Sequence, residues 1–235
     1  MRNLAKRLLP AAAKEALRAA FGSSAFAVRS YAQEGEDLLL LRLFDGRPPA
    51  VYVDVGAHHP FRFSNTSLLH QRGWHGINID ARPGSMAAFQ KSRPDDINLE
   101  LGISLEHSRL CYHLFAEPAL NTFDPTLAAE RRANGWAQTA TRTIECFPLS
   151  TVLERELPKF GSTSIGLLSV DVEGLDLEVL RSNDWTRFRP GAIVVEVLGT
   201  GVRSMLGSEV NRYLEEVGYM PYSKLINSAI FLPAG

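Results

Sequence analysis

Acidic residues follow two of the apolar segments of this sequence at the point where each segment ends. Asp54 and Gly56 lie at the end of the apolar run 51–55, and Asp80 directly follows the run 76–79. In an open α/β sheet, ligands bind beyond the carboxyl ends of the strands. Asp80 is placed to accept hydrogen bonds from two ribose hydroxyls, Asp54 can attract a cationic group, and Gly56 allows the backbone to approach a nucleoside closely. The pattern indicates an adenosine-containing ligand.

The turn after the first apolar run differs from a dinucleotide-binding turn. A pyrophosphate is usually held by several glycines at a helix start, whereas this turn has Gly56 followed by His58 and His59. S-adenosylmethionine (SAM) has no phosphate, but it carries an ammonium group, a carboxylate, a sulfonium and a ribose diol. The turn therefore favours SAM as the cofactor. A nucleotide-sugar or NAD-dependent enzyme is one alternative, and a non-catalytic adenosyl-binding subunit of glycan machinery is another.

A further acidic pair, Asp171 and Glu173, follows the apolar run 166–170. Methyl transfer to a hydroxyl requires the oxygen, methyl and sulfur to be aligned, and the hydroxyl proton must be removed as the oxygen attacks. Asp171 is the candidate base, and Glu173 is the candidate for orienting it or for binding an acceptor hydroxyl. The alternative is that these carboxylates cap the following helix.

The adjacent His58 and His59 are candidates for a proton relay, because histidine titrates near neutrality. They can also be metal ligands together with Asp171, Glu173 or Glu196, or can make ordinary loop hydrogen bonds. No tight ligand spacing accompanies them, so the sequence assigns no metal site and a divalent ion is not favoured. His59 is the third catalytic candidate.

Strand and helix patterns alternate along the chain and predict a doubly wound, mostly parallel sheet of seven strands with helices on both faces. Ser64 and Asn65 are expected to cap one of the helices. The short turn Ile226–Asn227 predicts an antiparallel hairpin at one edge of the sheet. The predicted strands include 51–55, 76–79, 97–103, 166–170, 192–197, 220–225 and 228–232.

The length of 235 residues suits one α/β domain, predicted for residues 30–235. An irregular insertion near 105–142 is expected to recognise the acceptor, because loops over a rigid sheet can vary. Residues 1–29 form a predicted basic amphipathic helical extension, interrupted at Pro10. This extension can contact an anionic membrane peripherally, or it can pack on its own domain or on a second subunit of a homo-oligomer.

The composition excludes several classes of protein. A net charge of −1 provides no dominant basic field for binding nucleic acid. Cys111 and Cys146 have the spacing of neither a zinc site nor a disulfide framework, which favours the cytoplasm, with the inner-membrane surface as the peripheral alternative. No apolar stretch reaches transmembrane length.

Short blocks distributed over roughly residues 30–200 form a recognisable series. They are Tyr31–Asp37, Asp54–Ala57, Ser64–Thr66, Gly73–Asp80, Arg93–Ile97, Asn121–Phe123, Ser169–Gly174, Arg189–Pro190 and Val194–Glu196. This series resembles the FkbM family of SAM-dependent methyltransferases. The resemblance implies a Rossmann-like class I methyltransferase fold and O-methylation, commonly of sugars in bacterial surface glycans or of natural products.

The expected acceptor is accordingly a hydroxyl of a sugar, a glycan intermediate or a glycosylated natural product. Gln33 and Asp37 are expected to close over the methionine end of the cofactor, although helix capping also accounts for them. The residues assigned to cofactor binding are Gln33, Asp37, Asp54, Gly56, Ala57, Asn65, Thr66 and Asp80.

Overall fold

The computed structural model describes residues 27–161, 164–199 and 201–235. The basic segment predicted to form the amino-terminal helix lies almost entirely in residues 1–26, outside the described residues. The unit Tyr31–Gly235 contains a main β-sheet and a smaller second sheet. Among the described residues, no helix combines the length and apolarity needed to cross a membrane.

The main sheet has seven strands in the order β3-β2-β1-β7-β8-β10-β9. All neighbouring pairs from β3 to β8 are parallel, and β10 runs antiparallel to both β8 and β9. The prediction of a mostly parallel sheet with an antiparallel edge hairpin is confirmed. The strands are β1 (Val51–Val55), β2 (His75–Asp80), β3 (Ile97–Glu100), β7 (Ile165–Val170), β8 (Ala192–Glu196), β9 (Tyr219–Lys224) and β10 (Ser228–Pro233).

Helices cover both faces of the main sheet, as the alternating side chains of its strands require. Val53 of β1 belongs to a core shared with α5, α6 and α8, whereas its neighbour Tyr52 belongs to a second core shared with α1 and α2. The helices are α1 (Glu36–Leu43), α2 (Ser67–Gln71), α3 (Met86–Ser92), α4 (Pro125–Ala133), α5 (Leu149–Glu156), α6 (Asp176–Arg181), α7 (Val202–Leu206) and α8 (Glu209–Glu216), with short 3-10 helices at Pro118–Leu120 and Leu157–Phe160.

The insertion folds mainly as a second sheet of three strands, β4 (Gly102–Ile103), β6 (Gln138–Phe147) and β5 (Ser108–Phe115), in that spatial order. The predicted single strand 97–103 was wrong, because β3 ends at Glu100 and β4 pairs with β6 instead of extending the main sheet. Gly102 allows this change of sheet: a Cβ atom there would lie 2.4 Å from the Sγ atom of Cys146.

The predicted capping of a helix by Ser64 and Asn65 was also wrong, since no side chain caps α2. The hydroxyl of Ser64 accepts a hydrogen bond from Arg93 at 3.1 Å, and the amide of Asn65 donates to the Ser169 hydroxyl at 3.2 Å. Arg93 is only 1% exposed. Burying a guanidinium without hydrogen-bond acceptors is costly in free energy. Ser64 therefore stabilises the protein more as an acceptor for Arg93 than it would by capping a helix.

Candidate active site

The turn after β1 is held directly against the ends of β2 and β7. Gly56 has a φ of 84°, and a Cβ atom at this position would lie 1.7 Å from the carbonyl oxygen of Asp171. The N–H groups of Gly56 and Ala57 donate to the carbonyl of Ile79, at 2.9 and 3.0 Å. Only glycine permits this approach, which brings three carboxyl ends of the sheet together.

A cavity of about 770 Å³, including the space open to solvent at its mouth, lies beyond these strand ends. Gly56 and Asp80 line its main-sheet side, and residues of the insertion line another side. There the Tyr112 and Phe123 rings pack with their centroids 4.4 Å apart. The apolar walls and the carboxylate of Asp80 at the end of β2 suit a nucleoside. We call this space the main cavity.

Asp80 fixes the loops around the main cavity as well as lining it. One carboxylate oxygen accepts from the N–H of His58 at 2.9 Å, and the other accepts from the N–H of Arg82 at 2.7 Å. Burial raises the pKa of Asp80, although these hydrogen bonds and the positive charge of Arg82 oppose the shift. Each carboxylate oxygen has two lone pairs, so Asp80 can still accept hydrogen bonds from a ligand.

A second, more polar cavity of about 420 Å³ adjoins the main cavity, since both are lined by Gln33, Phe63, Asp171 and Glu173. We call it the acidic cavity. Its remaining lining residues are Glu34, Glu36, Asn65, Glu196, Asn227 and Ser228.

The carboxylates of Glu34 and Glu36 are engaged within the protein. Glu34 accepts from the N–H of Asn227, and Glu36 accepts from the hydroxyl of Ser228 at 2.8 Å. These bonds attach the start of α1 and the residues before it to the start of β10 and the turn before that strand. The acidic motif in Tyr31–Asp37 therefore has a structural role at this edge of the cavity.

Asp171 and Glu196 accept no side-chain hydrogen bond among the described residues, and together with Glu173 they form a group whose ligand atoms lie within 4.8 Å of one another. Burial and the neighbouring negative charges, that of Glu196 first, raise the pKa of Asp171 well above its usual range. Burial, then Asp176 and Glu173, raises the pKa of Glu196 to about 8. The pair therefore retains a proton near neutral pH, as expected for closely spaced carboxyl groups.

Glu173 is held by residues of the insertion. Its backbone has a left-handed φ of 56°, which is unusual for a residue with a side chain. The hydroxyl of Thr122 donates to its carbonyl at 2.8 Å, and Arg131 of α4 forms an ion pair with its carboxylate. Arg131 also donates to the carbonyl of Leu120 at 2.5 Å. The insertion thus sets the position of an acid that lines both cavities.

The helix-capping alternative for Asp171 and Glu173 is not what the structure shows, and the acid that binds backbone N–H groups in this segment is Asp176, which holds the loop before α6. Asp176 accepts hydrogen bonds from the N–H groups of Val172 and Gly174, at 3.1 and 3.3 Å. Neither Asp171 nor Glu173 caps α6, which has no side-chain cap at its first position. Their carboxylates are directed to the cavities they line.

Behind the turn, a buried polar network surrounds Arg93. Its guanidinium donates to the carbonyl of Pro60 at 2.6 Å and to the hydroxyl of Thr66 at 2.9 Å. Thr66 in turn donates to the carboxylate of Asp54 at 2.7 Å. Arg93 also donates to Tyr52 and Asn78. This network fixes the loop that follows β1 against the underside of the main cavity.

The two neighbouring histidines have different environments. His58 lines the main cavity, and burial together with nearby arginines lowers its pKa to about 4, so it is neutral at pH 7. His59 lines neither cavity; its Nδ1 atom accepts from the N–H groups of Phe61 and Arg62, at 3.1 and 3.2 Å. Neither histidine belongs to the carboxylate group formed by Asp171, Glu173 and Glu196.

Comparison with models of known protein families assigns the chain to a family. Residues 54–221 match the model of the methyltransferase FkbM domain. This chain belongs to the FkbM methyltransferase family. The match spans both strand ends that carry Asp54 and Asp80, the whole insertion and the Asp171–Glu173 segment, whereas the residues before α1 and at the start of β10 that line the acidic cavity lie outside it.

Solved structures similar to this FkbM family member are distant in sequence. A TehB-like SAM-dependent methyltransferase from Corynebacterium glutamicum is 12% identical, with 96% of this chain and 100% of that chain covered and a TM-score of 0.40. A candidate O-methyltransferase from Klebsiella pneumoniae is 11% identical, with 100% of this chain and 96% of that chain covered and a TM-score of 0.39. No curated protein matches the chain.

The residues assigned to the cofactor from the sequence fall into two groups in this FkbM family member. Gln33, Gly56 and Asp80 line the main cavity, and Asn65 lines the acidic cavity. The other four assigned residues, Asp37, Asp54, Ala57 and Thr66, line neither cavity. Their side chains support loops or the core, since Asp37 accepts from the N–H of Tyr31 and Ala57 packs with Met86 and Phe89, while Asp54 and Thr66 belong to the Arg93 network.

The sequence did not single out Arg131, Tyr112 or Arg82 as site residues. Arg82 lies two residues after Asp80 and could have been found from the sequence, whereas the signal for Arg131 and Tyr112 is weak because each acts through an element distant in the chain. Arg131 lies in α4, whereas its partner Glu173 follows β7. Tyr112 lies in β5 of the second sheet, whereas the cavity that it lines lies at the ends of the main-sheet strands.

Proposed function

We propose that this FkbM methyltransferase uses SAM to methylate a hydroxyl group of a sugar, a glycan intermediate or a glycosylated natural product. The observation that carries the proposal is the junction of the two cavities at Asp171 and Glu173. One cavity has the apolar walls and strand-end acid that suit an adenosyl group, and the other has polar walls that suit a hydroxylated acceptor.

The donor set of the main cavity fits SAM better than a dinucleotide. Asp80 offers carboxylate lone pairs to the ribose hydroxyls, and Ile79, Leu101 and Phe123 offer apolar surface to the adenine. The single glycine of the first turn leaves no glycine-rich pyrophosphate cradle. Gln33 lies where the two cavities meet, and it is our candidate for contacting the methionine end.

When bound, SAM supplies an electrophilic methyl group on a positively charged sulfur. Asp171 removes the proton from the acceptor hydroxyl, and its raised pKa makes it a stronger base than an ordinary aspartate once it is deprotonated. Glu173, held by Arg131, accepts a hydrogen bond from the acceptor and orients it. Because both carboxyl groups must be ionised and burial raises the pKa of each, the rate of transfer is expected to rise with pH until both are deprotonated.

The cofactor is tested by calorimetry with SAM, S-adenosylhomocysteine and NAD. We expect the two sulfur compounds to bind and Asp80→Asn to weaken both, whereas Asp45→Asn, at an exposed position, leaves their affinity unchanged. Binding of NAD alone would overturn the proposal. Binding of SAM without any methylated product from glycan fractions would favour a non-catalytic adenosyl-binding subunit.

The base is tested with Asp171→Asn. We expect the turnover number to fall by about 10²- to 10⁴-fold, with SAM affinity retained, because the amide cannot accept the proton. Screening glycan fractions for methyl transfer from labelled SAM, followed by product analysis, identifies the acceptor and the methylated atom. Unchanged turnover in Asp171→Asn would remove this residue from the role of base.

The two cysteines support a reducing compartment. Both Cys111 and Cys146 are free thiols, and Cys111 is exposed. An exposed free thiol is typical of the cytoplasm, where disulfides rarely persist. We therefore place the proposed reaction in the cytoplasm, and cell fractionation with an antibody to the protein tests this assignment.

A further inference from the structure

A second group of chemically active side chains lies at the opposite end of β2 from Asp80. His70 is in the last turn of α2, His75 is the first residue of β2, and Asp96 immediately precedes β3. Asp80 lies five residues after His75 in β2, which corresponds to about 16 Å along a strand. This group therefore lies away from both cavities, and a role for it is independent of the proposed methyl transfer.

The three side chains converge on one point. The Nδ1 atom of His70 is 3.8 Å from Oδ2 of Asp96, and the Nδ1 atom of His75 is 3.4 Å from Oδ1 of Asp96. The three ligand atoms lie within 4.8 Å of one another. Ligand atoms bound to one tetrahedral Zn²⁺ ion at 2.0–2.1 Å are about 3.3 Å apart, so small side-chain rotations suffice to form a site.

The carboxylate of Asp96 is oriented as a metal ligand would be. Its side chain is completely buried. Oδ2 accepts from the Tyr52 hydroxyl and from Asn78 Nδ2, the latter at 3.0 Å, whereas Oδ1 accepts only from the N–H of Gly76, at 3.1 Å, among the described residues. Hydrogen bonds of this kind fix the direction of metal ligands in proteins. Oδ1 keeps a lone pair toward His75.

The histidines supply the remaining features of a site. The Nδ1 atom of His70 is buried and makes no hydrogen bond to the described residues. The side chain of His75 is 45% exposed, so an ion has a path from solvent and one coordination position stays open to water. The turn 72–74, with Gly73 at a φ of 89°, brings the two histidines to the same carboxylate.

We propose that His70, His75 and Asp96 bind a divalent transition-metal ion of the Zn²⁺ type through the two Nδ1 atoms and the carboxylate of Asp96. Two imidazoles and one carboxylate suit such an ion better than Mg²⁺ or Ca²⁺, which prefer all-oxygen sites. Arg93 partly offsets the charge of Asp96, because both contact the hydroxyl of Tyr52.

The test is a titration of the metal-free full-length chain with Zn²⁺, followed by calorimetry, in a Cys111→Ser background that removes the exposed thiol. We expect one equivalent to bind, with its affinity lowered at least about 100-fold in His70→Gln and in His75→Gln. His107→Gln is the matched control, because His107 also pairs with a carboxylate, that of Glu145 at 3.0 Å, but at an exposed position without a third ligand.

A second arm separates this site from the acidic cavity. Glu196→Gln should leave the Zn²⁺ affinity unchanged, and anomalous scattering from a Zn²⁺-soaked crystal should locate the ion between His70 and His75. His75→Gln changes an exposed side chain and keeps the fold, so its result is decisive. The proposal is overturned if no Zn²⁺ binds, or if His70→Gln and His75→Gln bind Zn²⁺ as tightly as the chain that retains both histidines.

Discussion

Arg131 forms an ion pair with Glu173 and joins the insertion to the acid that lines both cavities. The arginine is 8% exposed, and its second N–H group is occupied by the carbonyl of Leu120. The insertion was expected from the sequence to recognise the acceptor. Its contacts give it a second role, because it also sets the position and charge of Glu173.

Replacing Arg131 by methionine should impair methyl transfer more than cofactor binding. Burial raises the pKa of Glu173 and Arg131 opposes that shift, so Arg131→Met should raise the pKa further. We expect the turnover number to fall by about 10- to 100-fold, with the activity profile displaced to higher pH. The measurement is the pH dependence of transfer to the acceptor identified in the screen. An unshifted profile would contradict the role of the ion pair, and Arg132→Met on the exposed side of α4 is the control.

Adding a single methyl group at Gly56 should destabilise the fold. In Gly56→Ala the new Cβ atom meets the Asp171 carbonyl at 1.7 Å, and the φ of 84° is unfavourable for alanine. We expect the free energy of unfolding in urea to decrease by about 3 kcal/mol or more. Gly84→Ala is the control, since Gly84 has a φ of 81° but nothing within 4 Å, and we expect about 1 kcal/mol there. Equal losses in the two variants would show that the contact with Asp171 is unimportant.

Glu196→Gln should stabilise the protein at alkaline pH. The pKa of Glu196 rises from 4.5 to about 8 on folding, so the folded state binds the proton more tightly. The stability that Glu196 contributes is fully present below its unfolded pKa, and it is lost as the pH rises through the folded pKa of about 8. Glutamine does not ionise, so the variant does not lose stability in this way. Since the side chain is partly exposed, we expect a gain of roughly 2 kcal/mol at pH 9 and little change at pH 5. Urea unfolding at pH 5 and pH 9 measures the free energy of unfolding, and Glu130→Gln, at an exposed position, is the control. A gain in stability that is the same at the two pH values would contradict the link to the pKa of Glu196.

Removing the charge of Arg93 should be more damaging than removing most surface charges. The Arg93→Met variant would leave the carboxylates of Asp54 and Asp96 buried without the cation in their network. Breaking a buried charge network by removing one partner costs about 3 to 5 kcal/mol. Urea unfolding measures the loss, and Arg72→Met, at an exposed position, should change stability by less than about 0.5 kcal/mol. A loss in Arg93→Met as small as that of the control would mean that the network contributes little.

Strand ends and their acids could be predicted from the sequence because hydrophobic runs and turn residues are local signals. Asp80 illustrates this, as it ends β2 and lines the main cavity. Asp54 illustrates the limit. In β1 the side chain of Asp54 points to the opposite face from Val53 and Val55, which is the face of Tyr52. There its carboxylate accepts a hydrogen bond from Thr66 and joins the Arg93 network. A strand-end position alone does not distinguish these two directions.

Contacts between distant segments account for most of what the sequence could not predict. The choice between His58 and His59 depends on a loop held by Asp80, and the role of Arg131 depends on a contact between α4 and the segment after β7. The pair His70 and His75 gives a local signal of two histidines flanking a turn, but Asp96 joins them only when β3 pairs with β2. Each of these arrangements is a property of the folded sheet.

The contact between Gly56 and Asp171 has a consequence for the synthesis of the protein. Gly56 lies in the first half of the chain and Asp171 in the second, and each helps to line the main cavity. A nascent chain that has emerged from the ribosome only as far as β6 lacks one wall of that cavity. Both walls of the main cavity are therefore in place only after β7 has been translated and has docked beside β1.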